Sequence, residues 1–113
     1  MKKNINTDHK KFVRDGQVAV LVSPGFGAGW STWNPDYPHI VHDYFIADLL
    51  VHEVPDWLAK AHAYCELKYP GAYLGGLEDL QVQWIPVGTS FRVHEYDGSE
   101  SIEIRDQMTW QTA

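Results

Sequence analysis

Cysteine is almost missing from this sequence. Cys65 stands alone among 113 residues, so no disulfide can form within the chain, and a reducing cytoplasm is the expected setting. Long apolar runs are missing too. No stretch approaches the ~18 residues that a membrane-spanning helix needs. The opening MKKNINTDHKK is basic, but no apolar segment follows it, so it is not read as a secretory signal. Positive charge is scarce: 9 Lys and Arg face 15 Asp and Glu, for a formal net charge of -6. The cations are concentrated before Gln17, which leaves the body of the chain more acidic still. Broad contact with a nucleic-acid backbone needs clustered Lys and Arg, so a polymer partner of that kind is excluded.

Several familiar catalytic and cofactor frames are absent as well. A Walker loop requires Lys-Ser or Lys-Thr after its last glycine, and here Gly29 is followed by Trp30. A dinucleotide fingerprint requires G-x-G-x-x-G leading into a helix. Gly25, Gly27 and Gly29 have the wrong spacing, and Trp33-Asn34-Pro35 does not open a helix. Ser23-Pro24-Gly25 lacks the G-x-S-x-G frame of a nucleophile elbow.

What is present centres on Val18 to Asn34, VAVLVSPGFGAGWSTWN. The branched apolar run Val18–Val22 suits a strand buried on both faces. It stops at Ser23-Pro24 and gives way to three glycines interleaved with Phe26 and Trp30 and closed by Ser31, Thr32, Trp33 and Asn34. Ordering so many glycines is entropically costly, which points to a loop with a function beyond connection. The expected ligand contacts are ring stacking by Trp30 and Trp33 or Phe26, backbone amides at Gly25, Gly27 and Gly29, and hydroxyls at Ser23 and Ser31. Glu95 is added for a sugar hydroxyl or base N–H, and Arg92 or Arg105 for an anionic group. The bland alternative is a tight loop whose aromatics plug the core.

Around that loop the chain reads as a single α+β domain over residues 17–106. Residues 1–16 form a polar tail or edge element with a turn at Asp15-Gly16, and residues 107–113 form a C-terminal tail in which Trp110 can dock. Gln17–Val22 is the first strand and takes a central place in the sheet. Asn34–His42, with two prolines, is irregular. Asp43 caps a helix from Tyr44 to Glu53, and Pro55 enters the first turn of a second helix that Pro70-Gly71 stops. After a turn at Gly75-Gly76, Leu80–Ile85 alternates as a half-buried strand. Thr89–Tyr96 and Ser99–Arg105 follow as a hairpin closed by Asp97-Gly98, with Phe91, Val93, Ile102 and Ile104 inward. The resulting order is β-α-α-β-β-β: a mainly antiparallel sheet of about four strands with two short helices on one face.

Other side chains invite chemistry less strongly. His39, His42 and Asp43 form H-x-x-H-D, which suggests a metal site, and His52, His62 or His94 could join it in space. Asp43 is better explained as a helix cap, and solvent-facing histidines are the simpler reading, so no metal or cofactor is expected. Glu78-Asp79 and Glu95-Tyr96-Asp97 pair carboxylates near strand ends, a pattern usable for acid–base work. Asp97 is more simply a turn residue, and Asp79 a residue at a strand start. Cys65 lies on an apolar helix face and reads as a buried, inert thiol.

The segment VAVLVSPGFGAGWSTWN, with GGLEDL and FRVHEYDGSESIEI further on, resembles a family of small bacteriophage and bacterial proteins. The resemblance covers Gln17 to Ile104. It implies a cytoplasmic accessory protein, in the host cell if phage-encoded, and brings no catalytic residues with it. Small phage proteins of this kind bind host proteins or sequester nucleotide-like defence signals. The leading expectation is therefore a non-enzymatic module that captures a small, nucleotide-derived ligand in the glycine-aromatic loop and assembles as a homo-oligomer. One alternative is an interaction module that inhibits a host protein through the same loop. Another is a small hydrolase or transferase using Glu95 or the His39/His42 pair.

Overall fold

A computed structural model describes residues 10–105; the first nine residues, the C-terminal tail and the docking expected of Trp110 lie outside the described residues. The chain is α+β, with five strands in two antiparallel sheets and two helices. Strand β1 (Val13–Arg14) pairs with β2 (Gln17–Val22) across the two-residue turn Asp15-Gly16. Both turn residues have positive φ, 54° and 77°, as the inverted turn that matches strand twist requires. The edge element expected in the N-terminal segment is thus a short β1. Strand β2 lies between β1 and β3 (Gln81–Pro86), running antiparallel to β3 from Gln17 opposite Pro86 to Val22 opposite Gln81. Its central position is the one its unbroken apolar run called for.

Helix α1 (Tyr44–Val51) starts at the Asp43 cap, where the side chain accepts the Ile46 N–H at 2.9 Å. Helix α2 (Trp57–Lys68) begins two residues after Pro55. Asp56 takes the position before its first turn with φ 60°, so Pro55 stands just outside the helix instead of in its first turn. The segment expected to be irregular winds into short 3-10 turns at Ser31–Trp33 and Pro38–His42.

The hairpin β4 (Phe91–Tyr96) and β5 (Ser99–Ile104) closes at Asp97-Gly98, again with both φ values positive, and forms a separate sheet. This divides the strands three and two, where about four in a single sheet were expected. Strand β2 explains the division. Ala19 and Leu21 face the core shared with Ile46, Leu49, Ala61 and Cys65 of the helices. Val20 and Val22, with Ile85, face Phe91, Val93, Ile102 and Ile104 of the hairpin. Covering a buried Val or Leu is worth roughly 1.5–3 kcal/mol each, and a hairpin added at the sheet edge would leave the second face of β2 wet. The molecule is therefore layered as helices, three-stranded sheet and hairpin.

Candidate functional site

Period-2 alternation along β5 puts Glu100 on the inward face with Ile102 and Ile104, and its side chain is 2% exposed. A carboxylate there must be met by donors. The glycine-aromatic loop supplies them. Glu100 Oε1 accepts the Ser23 N–H at 2.9 Å. Its Oε2 accepts the Trp30 N–H at 2.7 Å, the Thr32 N–H at 3.0 Å and the Thr32 hydroxyl at 2.6 Å. The Glu100 N–H in turn donates to the Ser23 carbonyl at 2.9 Å. The loop is an anion cradle whose anion is a side chain of the same molecule.

The glycines fit that purpose. A Cβ on Gly29 would lie 2.6 Å from Thr32 Oγ1 and 3.0 Å from Glu100 Oε2, so any side chain there would displace the carboxylate's partners. Gly98, at the hairpin tip, approaches so closely that a Cβ would lie 2.4 Å from the Ala28 backbone nitrogen. The Gly27 N–H donates to the Asp97 carbonyl at 2.8 Å, and the Ser99 hydroxyl to the Pro24 carbonyl at 2.6 Å. Loop and hairpin tip are sewn together along this seam.

The expected ligand contacts can now be placed. Trp30 is fully enclosed, and its Nε1–H donates to the Ile40 carbonyl at 3.2 Å. It thus has no face open for stacking and braces the Pro38–His42 turn from within. Trp33 is half-buried against Tyr73, with ring centroids 5.0 Å apart. Asn34 locks that end by donating to the Trp30 and Tyr73 carbonyls and accepting the Tyr73 N–H. Ser23 is buried, and its hydroxyl donates to the Ala28 carbonyl; Ser31 is half-buried, and Gly25 is packed against Asp79. Phe26 alone among the loop aromatics projects outward, 73% exposed, beside the equally exposed Tyr96. Glu95 accepts the Gly98 N–H of its own turn at 2.7 Å. Arg92 is exposed and paired across the hairpin with Glu103. Arg105 is exposed, and its N–H donates to the Ser90 carbonyl. These ten or so residues do not converge on one cavity.

A different set does converge. The Pro38–His42 turn, the start of α1 and the end of α2 enclose a cavity of about 140 Å³ lined by Lys10, His39, His42, Asp43, Tyr44, Tyr64, Lys68 and Tyr69. A second cavity of about 290 Å³, walled by Tyr37 and Pro38, shares His39, Lys68 and Tyr69 with it. Asp43 forms the floor and is saturated. One oxygen caps Ile46, and the other accepts the Tyr64 hydroxyl at 2.6 Å together with the Tyr69 hydroxyl. Burial, then the bond to Asp43 and its charge, push both phenols well above the ordinary tyrosine range. Each phenol proton is committed to Asp43, so the two oxygens keep only lone pairs for anything else.

His42 is 9% exposed and packs edge-on against Phe91, with ring centroids 5.7 Å apart. Its Nδ1 is buried without a hydrogen-bond partner among the described residues. Burial, followed by the charges of Lys11 and His39, pulls its pKa from 6.5 down to about 4; a bond to the Ala19 backbone acts the other way. With Nδ1 unpartnered, the nitrogen engaging Ala19 is Nε2, and a neutral ring donating through Nε2 leaves a lone pair on Nδ1. At the rim, Lys10 lies 4.3 Å over the Tyr44 ring, and the exposed Lys68 makes no ion pair among the described residues.

The remaining candidates have structural surroundings. Cys65 is fully buried, and desolvation, with the Asp43 charge behind it, pushes its thiol up to about 12. His52 and Asp48 pair on the surface of α1, while Glu78, His62 and His94 are exposed. Among the described residues, no group of three or more His, Cys, Asp or Glu is placed to hold a metal ion. None of their helices is long and apolar enough to cross a membrane. Sequence reasoning missed Tyr64, Tyr69, Lys10 and Lys68 as a site because they come from three separate segments. It missed Glu100 despite a usable signal, a carboxylate in phase with Ile102 and Ile104. No protein-family model, curated protein or solved structure matches this chain.

Proposed function

We propose that this chain is a non-enzymatic binding module for a small polar ligand, and that the ligand sits in the cleft between the Pro38–His42 turn and the end of α2. The observation that carries this reading is the buried, unpartnered Nδ1 of His42 in a residue lining that cleft. Buried polar atoms are almost always satisfied, and an orphan acceptor beside an open cavity marks a place left for a donor. An aromatic wall, two lysines and a volume near the lower end of small-molecule pockets support the same reading. A nucleotide-derived ligand suits this combination, and its sequestration in an infected host cell is the setting that the sequence resemblance suggests. The glycine-aromatic loop serves the site indirectly, since Trp30 braces Ile40 between His39 and His42.

A thermal-shift screen against nucleotides, cyclic dinucleotides and ADP-ribose derivatives, followed by chromatography of each mixture, tests the reading. A ligand at ~100 times its Kd stabilises the fold by ~2.7 kcal/mol. The expected outcome is a shift without turnover, lost in Lys68→Ala and kept in Phe26→Ala. Turnover would make the protein an enzyme. A second reading, a protein-interaction module or a homo-oligomer, is favoured by one observation: Phe26 and Tyr96 expose large rings side by side at the loop–hairpin seam. Loss of partner capture or of self-association in Phe26→Ala, with no shift across the ligand panel, would put that reading ahead.

A further inference from the structure

We infer that the cleft selects a ligand of two-ended polarity: an N–H-bearing ring seated on His42 Nδ1 at the floor and an oxyanion held by Lys10 and Lys68 at the rim. The inference rests on the cleft's being the binding site. Its content is the division of donors and acceptors. Every polar atom identified at the floor is an acceptor or is already saturated. Asp43 has taken three donors, Tyr64 and Tyr69 have given their protons to it, and His42 Nδ1 has a lone pair and no partner. An anion placed there would meet lone pairs and a carboxylate. The rim has the opposite character, because Lys10 and Lys68 bring ammonium groups that can only donate. In a chain of net charge -6, that local excess of cations is the part suited to a phosphate or carboxylate. Between the ends lie the rings of Tyr37 and Tyr69, against which a planar group can lie. A neutral nucleoside satisfies the floor alone, inorganic phosphate satisfies the rim alone, and a nucleoside monophosphate satisfies both.

The test is nitrogen-detected NMR of the His42 ring in the full chain, titrated separately with AMP, adenosine and inorganic phosphate. AMP is expected to move the Nδ1 resonance in the direction of an accepted hydrogen bond, with at least tenfold tighter binding than adenosine or phosphate. Lys68→Ala, an exposed substitution that leaves the fold intact, is expected to bring AMP down to the adenosine level. His42→Phe, which keeps a ring against Phe91, is expected to bring AMP down to the phosphate level. Should adenosine or phosphate bind as tightly as AMP, or Lys68→Ala leave AMP unchanged, the two-ended assignment is overturned while the cleft stands as a site. Should no probe move His42 at millimolar concentration, both readings fall.

Discussion

Glu100 concentrates four hydrogen bonds on one carboxylate, and charge-assisted bonds of this kind are the strong ones. Glu100→Gln turns one oxygen into a donor facing donors, and denaturant melts are expected to show a loss of about 2–4 kcal/mol. His42 gives a pH dependence of definite sign. Above pH 6.5 the ring is neutral in folded and unfolded chains alike. As pH falls toward 4 the unfolded chain takes up a proton that the folded ring refuses, so stability is lost across that window. The full shift corresponds to about 3 kcal/mol. Urea titrations between pH 7 and pH 4 should show this loss, and His42→Phe should remove it. A curve for His42→Phe that still falls by the same amount would assign the pH dependence to other groups.

At the scale of elements, Asp43 couples two helices and a turn. It caps α1 and receives the phenols of Tyr64 and Tyr69 from α2 and its C-terminal flank. Asp43→Ala removes the cap, typically ~1 kcal/mol, and strands two buried hydroxyls, so a total of about 2–4 kcal/mol is expected in chemical denaturation. Tyr64→Phe removes only one donor and should lose less, about 1 kcal/mol. The loop and the hairpin β4–β5 form a second coupled pair, joined by Glu100 and by the Gly27–Asp97 bond. Gly29→Ala should loosen both together. Hydrogen exchange is expected to speed up at Ser23, Trp30 and Thr32 and along β5 in that variant; faster exchange confined to the loop would show that the two elements open independently.

The whole molecule is held as three layers by β2, whose two faces are buried on different partners. Ile102→Ala, in the hairpin layer, should lose about 2–4 kcal/mol by opening a cavity against Val20 and Val22. If the layers form one cooperative unit, fluorescence and circular dichroism will report the same midpoint for that variant. A hairpin that melted first would separate the two signals.

Much of this architecture is legible along the chain because it rests on local chemistry. Both Asp-Gly turns, the Asp43 cap, the apolar run of β2 and the alternation of β3 to β5 depend on neighbouring residues and short periods. The glycine-aromatic loop, too, stands out in the sequence as a place where backbone amides gather. What occupies those amides does not stand out, because Glu100 lies some 70 residues away and reaches them only when the hairpin folds over β2. The same holds for the cleft. Lys10, His42 and Lys68 have no shared period or spacing, and chain topology alone brings them around Asp43. Local rules thus determined the elements and their order. The tertiary structure decided which face of β2 each element covers, and with it which donors were consumed inside the fold and which acceptor was left facing a cavity.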